Sequence, residues 1–527
     1  MMNGFSCIFS KNTRNSIFLL FLTSFIMLSS SAVSAALEAE AEPTSALRIV
    51  YQSAPCANGT SYHTTITSAV NVAAFGDTII VCPGTYNESV NISQSLTLES
   101  FTGASQTIIQ VPSTADFAFQ VDADAVTISG FTMRGGSRTR YGIYVDGNDN
   151  RFISNILSGM DEGIRLNEIQ HAQVIGNTVL SPRNFSLNVI IADNSIILNN
   201  TFSQSGVDGI SIMYSNNNLT IQGNLIMGGN TRWGMLLQNV QESTIIDNMV
   251  TNVEMNGINV ISSNHNLFAR NRFIGNHVEG SMYLLYSHEN ILINNTFENN
   301  TFQGLMLDHS RNNTLRGNRF NNVKWGMGLQ YGFPDEGYSY ESLYQDIDTT
   351  NTINGRPIYY LIDVANITLD SSTPAGFIGL INTDNVTIRN QNLSGNGFGI
   401  LAFEARGLLV EKSIITNNIQ SGIELLSSTG AMIQNNSILK NEIGISLSST
   451  TRSVVQGNTI SNNPVNLNMF SGGLNTFEGN VIANSSQGVN FWKTYANNIT
   501  DNVFSFSGPS WQQQLISFFH SNDNLIY

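Results

Sequence analysis

The sequence predicts an all-β fold: a single-stranded right-handed parallel β-helix with a short helical cap at its N-terminal end. Three observations predict it. A Gly–apolar–any–apolar motif stands at Gly142, Gly163, Gly209, Gly234 and Gly257, at Gly304 and Gly326, and again at Gly399, Gly422, Gly444 and Gly488, with single steps of 21 to 25 residues. An Asn–any–apolar motif runs in phase with it, at Asn177, Asn200, Asn224, Asn248, Asn271, Asn295 and Asn318 and later at Asn436, Asn458, Asn480 and Asn502, in steps of 22 to 24. The 3.6-residue periodicity of helical repeats is absent.

Taken in chain order, residues 1–35 read as a signal peptide. Lys11 and Arg14 give a basic start, residues 17–28 are apolar but too short to span a bilayer, and Val33-Ser34-Ala35 places small residues at a cleavage site. No later segment is long and apolar enough to be a membrane span. Cys7 leaves with the signal, so Cys56 and Cys82 remain, and two cysteines in an exported chain suggest one disulfide. Residues 64–74 put Ile66, Ala69, Val70, Ala73 and Ala74 on one helical face, which predicts the cap; Gly76-Asp77 ends it.

The coils follow. Each motif is a strand of three to five residues with alternate side chains inward. Such strands are too short to stand alone in water. Stacked coil on coil they pair in parallel and bury columns of Ile, Leu and Val. Asn suits the bends, tolerating the left-handed backbone region, and stacked Asn can form an amide ladder. Gly permits a corner where a side chain would clash. Roughly 17 coils at about 4.8 Å each give a rod on the order of 80 Å. The Leu-x-x-Leu-x-Leu signature of the leucine-rich repeat does not recur. The organisation expected is a cap and first β-helix section over 45–332, an irregular insertion or linker over 333–374, and a second section over 375–527. The insertion carries Asp335, Glu336, Tyr338, Tyr340 and Tyr344, which fits either a protruding loop or a splice between sections. Trp511, Phe518 and Phe519 are candidates to cover the last coil.

Two stretches look familiar. Gly76-Asp77-Thr78-Ile79-Ile80-Val81-Cys82-Pro83-Gly84-Thr85-Tyr86, within residues 62–88, resembles the first coil of many parallel β-helix proteins. Asn354-Gly355-Arg356-Pro357-Ile358-Tyr359-Tyr360-Leu361-Ile362-Asp363 resembles a linking segment of the NosD-like branch of the carbohydrate-binding and sugar-hydrolase repeat family. That branch is abundant in secreted proteins of methanogenic archaea. The resemblance implies a pectate-lyase-like solenoid and is specific for fold alone, since these repeats host lyases, hydrolases, epimerases and non-catalytic surface proteins.

The NosD name implies periplasmic copper handling, which wants clustered Met, His or Cys. His265, His288 and His309 fall in three consecutive coils but in different registers, so no imidazole column forms. Met213, Met235, Met306 and Met327 sit mostly at core-type positions. The sequence assigns no cofactor; calcium and copper are the candidate ions.

The formal net charge of −15 makes nucleic acid a poor partner. The residue before the corner Gly builds a column of Glu162, Asp208, Asn256, Glu279 and Gln303, with Trp233 and Trp325 interleaved; Arg165, Arg232, Lys324, Asp308 and His309 lie close in register. The catalytic candidates are Asp208, Asp308, His309 and Glu279, since hydrolysis needs paired carboxylates and lyase or epimerase chemistry needs a base with a cation. The carbohydrate-binding candidates are Glu162, Arg165, Trp233, Asn256, Trp325 and Tyr331. About 15 Asn-x-Ser/Thr sequons, Asn87, Asn218 and Asn498 among them, fit a glycoprotein and surface-layer neighbours. The function expected is secreted or cell-surface recognition, or assembly, at a polysaccharide or other surface glycan without catalysis. A polysaccharide lyase, hydrolase or epimerase and a copper-handling protein are the alternatives.

Overall fold

The computed structural model describes residues 45–214, 216–277, 280–332, 340–505 and 514–527. The signal-peptide residues 1–35, Asp335, Glu336, Tyr338 and Trp511 lie outside the described residues. From residue 45 on, the chain is a parallel β-solenoid of about 19 turns. In the first section each coil gives one strand to each of three sheets, here A, B and C. Thr220–Gln222, Leu225–Met227 and Trp233–Gln238 are one coil's contributions in that order. Each pairs in parallel with its counterpart one coil on, so Ile221 meets Ile245, Ile226 meets Val250 and Leu237 meets Val260. All six side chains are buried. A strand of three residues holds because its inward side chain sits between two copies of itself. Sheet B adds an aromatic stack, Phe273 on Phe297 at 5.3 Å and Phe297 on Phe320 at 4.7 Å.

The Asn motif has two separate jobs at the A-to-B bend. The motif Asn is buried and builds the expected ladder: the Nδ2 of Asn155, Asn177, Asn200, Asn224, Asn248, Asn271, Asn295 and Asn318 each donates to the Oδ1 of the Asn one coil on, at 2.9–3.1 Å. The left-handed backbone expected of it belongs instead to the residue before it, such as Asn199, Asp247, Arg270 and Asn294, with φ of 55°, 57°, 55° and 54°. One residue turns the chain and the next satisfies the backbone groups that the turn leaves buried. The motif Gly is required by close approach, not by φ. A Cβ on Gly234 would lie 2.3 Å from Val250 Cγ1 and 2.4 Å from the Gly257 carbonyl oxygen.

At the N-terminal end Leu47–Val50 pairs with both Ser61–His63 and Asp77–Val81, and a disulfide joins Cys56 to Cys82. The helix expected over 64–74 contracts to Ile66–Val70, five residues with Ile66, Ala69 and Val70 buried. Glu88 accepts from the Ile66 and Thr67 amides at 2.8 Å. Ser61–His63 is the outermost rung, so the helix has a place in the core and the capping role expected of it is not assigned.

Residues 340–374 splice two sections. Asp346–Ile347 extends sheet A and Thr352–Ile353 extends sheet B. Asn354 and Gly355, at φ 49° and 78°, then reverse the chain, and Arg356–Ile362 runs antiparallel to Thr352–Ile353. Arg356–Ile362 next pairs in parallel with Phe377–Ile381 and founds a new sheet, C′. The described coils of 375–527 follow the earlier pattern in sheet C′ and in two further sheets, A′ starting at Thr368–Leu369 and B′ starting at Asn392–Ser394. They surround an apolar core from Leu369 to Ile499, while Phe377, Phe398 and Leu426 pack with the core of the first section. Gln514–Phe519 forms a rung on Gln487–Trp492, Phe518 stacking on Phe491 at 4.9 Å, so these phenylalanines continue the solenoid.

Candidate functional site

Sheet C carries the predicted column on its outer face. Its strands alternate, so that while Ile164, Leu187, Ile210 and Ile258 point inward, their neighbours form an outward row. Register places Tyr144, Arg165, Asn188, Ser211, Leu236, Asn259, Tyr283 and Met306 in that row, one per coil. A second row lies at the corner, where Tyr141, Glu162 and Phe185 align, Asp208 faces Trp233, and Gln303 faces Trp325. Glu279 lies outside the described residues.

The rows form three groups. Glu162 contacts Arg165 at 3.3 Å and accepts from Asn188 Nδ2 at 3.0 Å. One coil pair further on, the Arg232 guanidinium stands 3.4 Å from Asp208 and 3.9 Å over the Trp233 ring. Burial pushes the Asp208 carboxyl up to about 6, against the opposing pull of Arg232 and of the Trp233 backbone N–H. In the third group Asp308 accepts from the Tyr283 hydroxyl and lies 2.5 Å from His309 Nδ1, and the His309 ring packs on Tyr286 at 5.2 Å.

Along this face several enclosed polar atoms have no hydrogen-bond partner among the described residues: Arg165 Nε, Asn188 Oδ1, Asp208 Oδ2, Ser211 Oγ, Trp233 Nε1, Asn256 Oδ1 and Asn259 Oδ1. Native interiors leave few such groups, each costing about 1–3 kcal/mol. Asn188, Asp208, Ser211 and Asn256 are almost fully buried. The groups this face offers to a ligand are therefore the half-buried Tyr144, Arg165, Trp233 and Tyr283, two phenols, a guanidinium and an indole of the kind that hold a sugar ring.

Asp208 and Asp308 do not come together. They are four coils apart, about 19 Å along the axis at the usual strand spacing, and stand at opposite ends of their strands, Asp208 in line with Gln303 and Asp308 with Gln330. That is outside the range of a hydrolytic carboxylate pair. Tyr331 sits away from both rows, at the splice, with Phe398 at 6.3 Å and Tyr340 at 5.7 Å. There it hydrogen-bonds Glu424, a buried carboxyl on the outward row of sheet C′ that also accepts from Ser421 Oγ at 2.6 Å. Burial raises Glu424 above the usual carboxylate range. Sequence reasoning passed over Glu424. Its signal was present: among the motif copies it is the one carboxylate at the variable position, in Gly422-Ile423-Glu424-Leu425.

The model described as periplasmic copper-binding protein (NosD) matches residues 70–228, 183–303 and 216–338, and that described as right handed beta helix region matches 375–526. No curated protein sequence matches the chain. Similar solved structures include Geobacillus virus E2 ORF18, 14% identical, covering 50% of this chain and 56% of that one at a TM-score of 0.39. DFA-IIIase from Arthrobacter chlorophenolicus A6 is 15% identical over 58% of this chain and 92% of its own, at 0.42. Pectate lyase Pel9A is 15% identical over 53% and 85%, at 0.36. The chain spans little more than half the length of the first of these.

Proposed function

Because the chain belongs to the right-handed β-helix proteins of the NosD and β-helix-region models, we propose that it is an exported recognition protein that holds a polysaccharide along the outer face of sheet C. The observation that carries this reading is the set of half-buried side chains that Tyr144, Arg165, Trp233 and Tyr283 present along one face of sheet C. A strand repeat of about 4.8 Å lets a sugar chain meet a new outward side chain at every coil, as an elongated ligand requires. The Cys56–Cys82 disulfide supports a compartment outside the reducing cytoplasm. The sequons support a surface glycoprotein with surface-layer neighbours.

A glycan array with the full chain tests the reading. The chain should bind a subset of polysaccharides, and Trp233→Ala should weaken that binding by about tenfold, the loss of one stacking platform. A wild-type chain that binds no glycan would remove the proposal.

A second reading rests on the Asp308–His309 contact, because a carboxylate orienting an imidazole is the arrangement of a general base. Under it, incubation with polysaccharide releases products, and Asp308→Asn abolishes release while leaving array binding intact. Release that persists in Asp308→Asn excludes this dyad.

Copper handling, the property in the NosD name, does not fit the donors present. Both described cysteines are in the disulfide, and His171, His265 and His309 each pair with a carboxylate. Met235 and Met327 are buried in the core as expected, while Met306 stands instead on the outward row of sheet C between Tyr283 and Gly328. Among the described residues no three His, Cys, Asp or Glu side chains converge on one point.

A further inference from the structure

We infer that the seam between the two sections holds a subsite for an anionic sugar, a binding place distinct from the rows of sheet C. A cavity of about 470 Å³ opens there. Lys324 and Trp325, from the last coil of the first section, form one wall. Corner residues from three successive coils of the second section form the other, with Asn417, Lys440 and Asn462 among them.

Charge identifies the ligand class. The chain is strongly acidic, and lysine is scarce: among the described residues it stands at 324, 412, 440 and 493. Two of those four line this one cavity. Lys324 Nζ lies 4.2 Å over the Trp325 ring, and Phe302 meets the same ring edge-on at 4.7 Å. The indole thus holds an ammonium at the cavity wall while offering a flat apolar surface. Asn417 and Asn462, both in the left-handed conformation at φ 57° and both exposed, contribute amides at successive corners. Glu442 is the single carboxylate in the lining. Two ammonium groups, an indole and amides fit a pyranose bearing a carboxylate or a sulfate ester. The site is also placed to receive one: Trp325 is in register with Gln303, at the end of the corner row of sheet C, so a chain lying on that row leads into the cavity.

This inference rests on the glycan-binding reading of sheet C and adds the charge of the sugar bound at one end. The test measures affinity of the full chain for three probes: oligogalacturonate, its methyl ester, and a sulfated dextran oligosaccharide. The charged probes should bind more tightly than the ester, and added salt should erase the difference, since exposed charges are screened. Whichever charged probe binds more tightly tells carboxylate from sulfate. Lys440→Gln and Lys324→Gln should each weaken the charged probes by about fivefold and leave the ester unchanged, and Glu442→Gln should strengthen them. Equal affinity for ester and acid, or indifference to both lysine changes, overturns the subsite while leaving the sheet C reading intact. Absence of binding to all three, together with an empty glycan array, overturns both.

Discussion

Asn248→Ala is expected to lower the stability of the solenoid by about 3–6 kcal/mol. The Asn248 Oδ1 accepts from the backbone N–H and the Nδ2 of Asn224, both at 2.9 Å. Its Nδ2 donates to the Ile221 carbonyl at 2.8 Å and to Asn271 Oδ1 at 3.0 Å. Alanine leaves these groups buried and unpaired, and each lost partner costs about 1–3 kcal/mol with some relaxation. The comparison is Asn385→Ala, at an exposed bend residue with φ of 51°, where the left-handed backbone preference and one long, exposed hydrogen bond to Asn366 Oδ1 are lost, about 1 kcal/mol together. Urea unfolding of both variants checks this. Equal losses at the two positions would contradict the division of labour between ladder and turn.

Asp208→Asn should act in the opposite direction, stabilising the protein by about 3 kcal/mol at pH 7. The Asp208 carboxyl is raised to about 6 in the fold from an ordinary 3.8. A raised carboxyl contributes stability that is fully present below the unfolded pKa, about 3.8, and is lost as pH rises through 6. At neutral pH the fold therefore carries an ionised, little-exposed carboxylate, and at 1.36 kcal/mol per unit the cost is of that order. The variant should match the wild type near pH 3 and exceed it above pH 6. Identical pH profiles for the two proteins would show that Asp208 is not strained by burial. Asp208 is buried beneath Arg232, which stands over the Trp233 ring, so the same variant should loosen that guanidinium and indole and bind glycan less well.

The fold was legible because a solenoid writes its geometry into the sequence once per coil. Gly234, Asn248 and Ile258 are each predictable from their counterparts a coil earlier, since the same steric contact recurs. What repeats least was least legible. The turn at Asn354-Gly355, which ends sheet B and founds sheet C′, occurs once, so the stretch around it read as irregular although its described part is paired. The helix came out shorter than its apolar face suggested: after Val70 the Ala73 amide closes a three-residue turn on the Val70 carbonyl, and Ala74 is exposed, its amide donating to the Asp77 carboxylate instead of continuing the helix. At the site, the outward rows followed from register, but the partners within them did not. Asp308 meeting its chain neighbour His309 depends on the two rotamers, and Asp308 meeting Tyr283 depends on side-chain reach between adjacent coils. Tyr331 meeting Glu424 depends on how the splice brings the sections together. None of these is written in the repeat.

The most direct test of glycan recognition by sheet C is hydroxyl-radical footprinting of the full chain, with and without a polysaccharide that it binds. Protection should fall on Tyr144, Trp233 and Tyr283, which stand on one face with Trp233 four coils from Tyr144 and Tyr283 two coils further on, and should spare Tyr214 and Tyr495. Protection centred on other surfaces, with Trp233 oxidised equally in both states, would contradict the account.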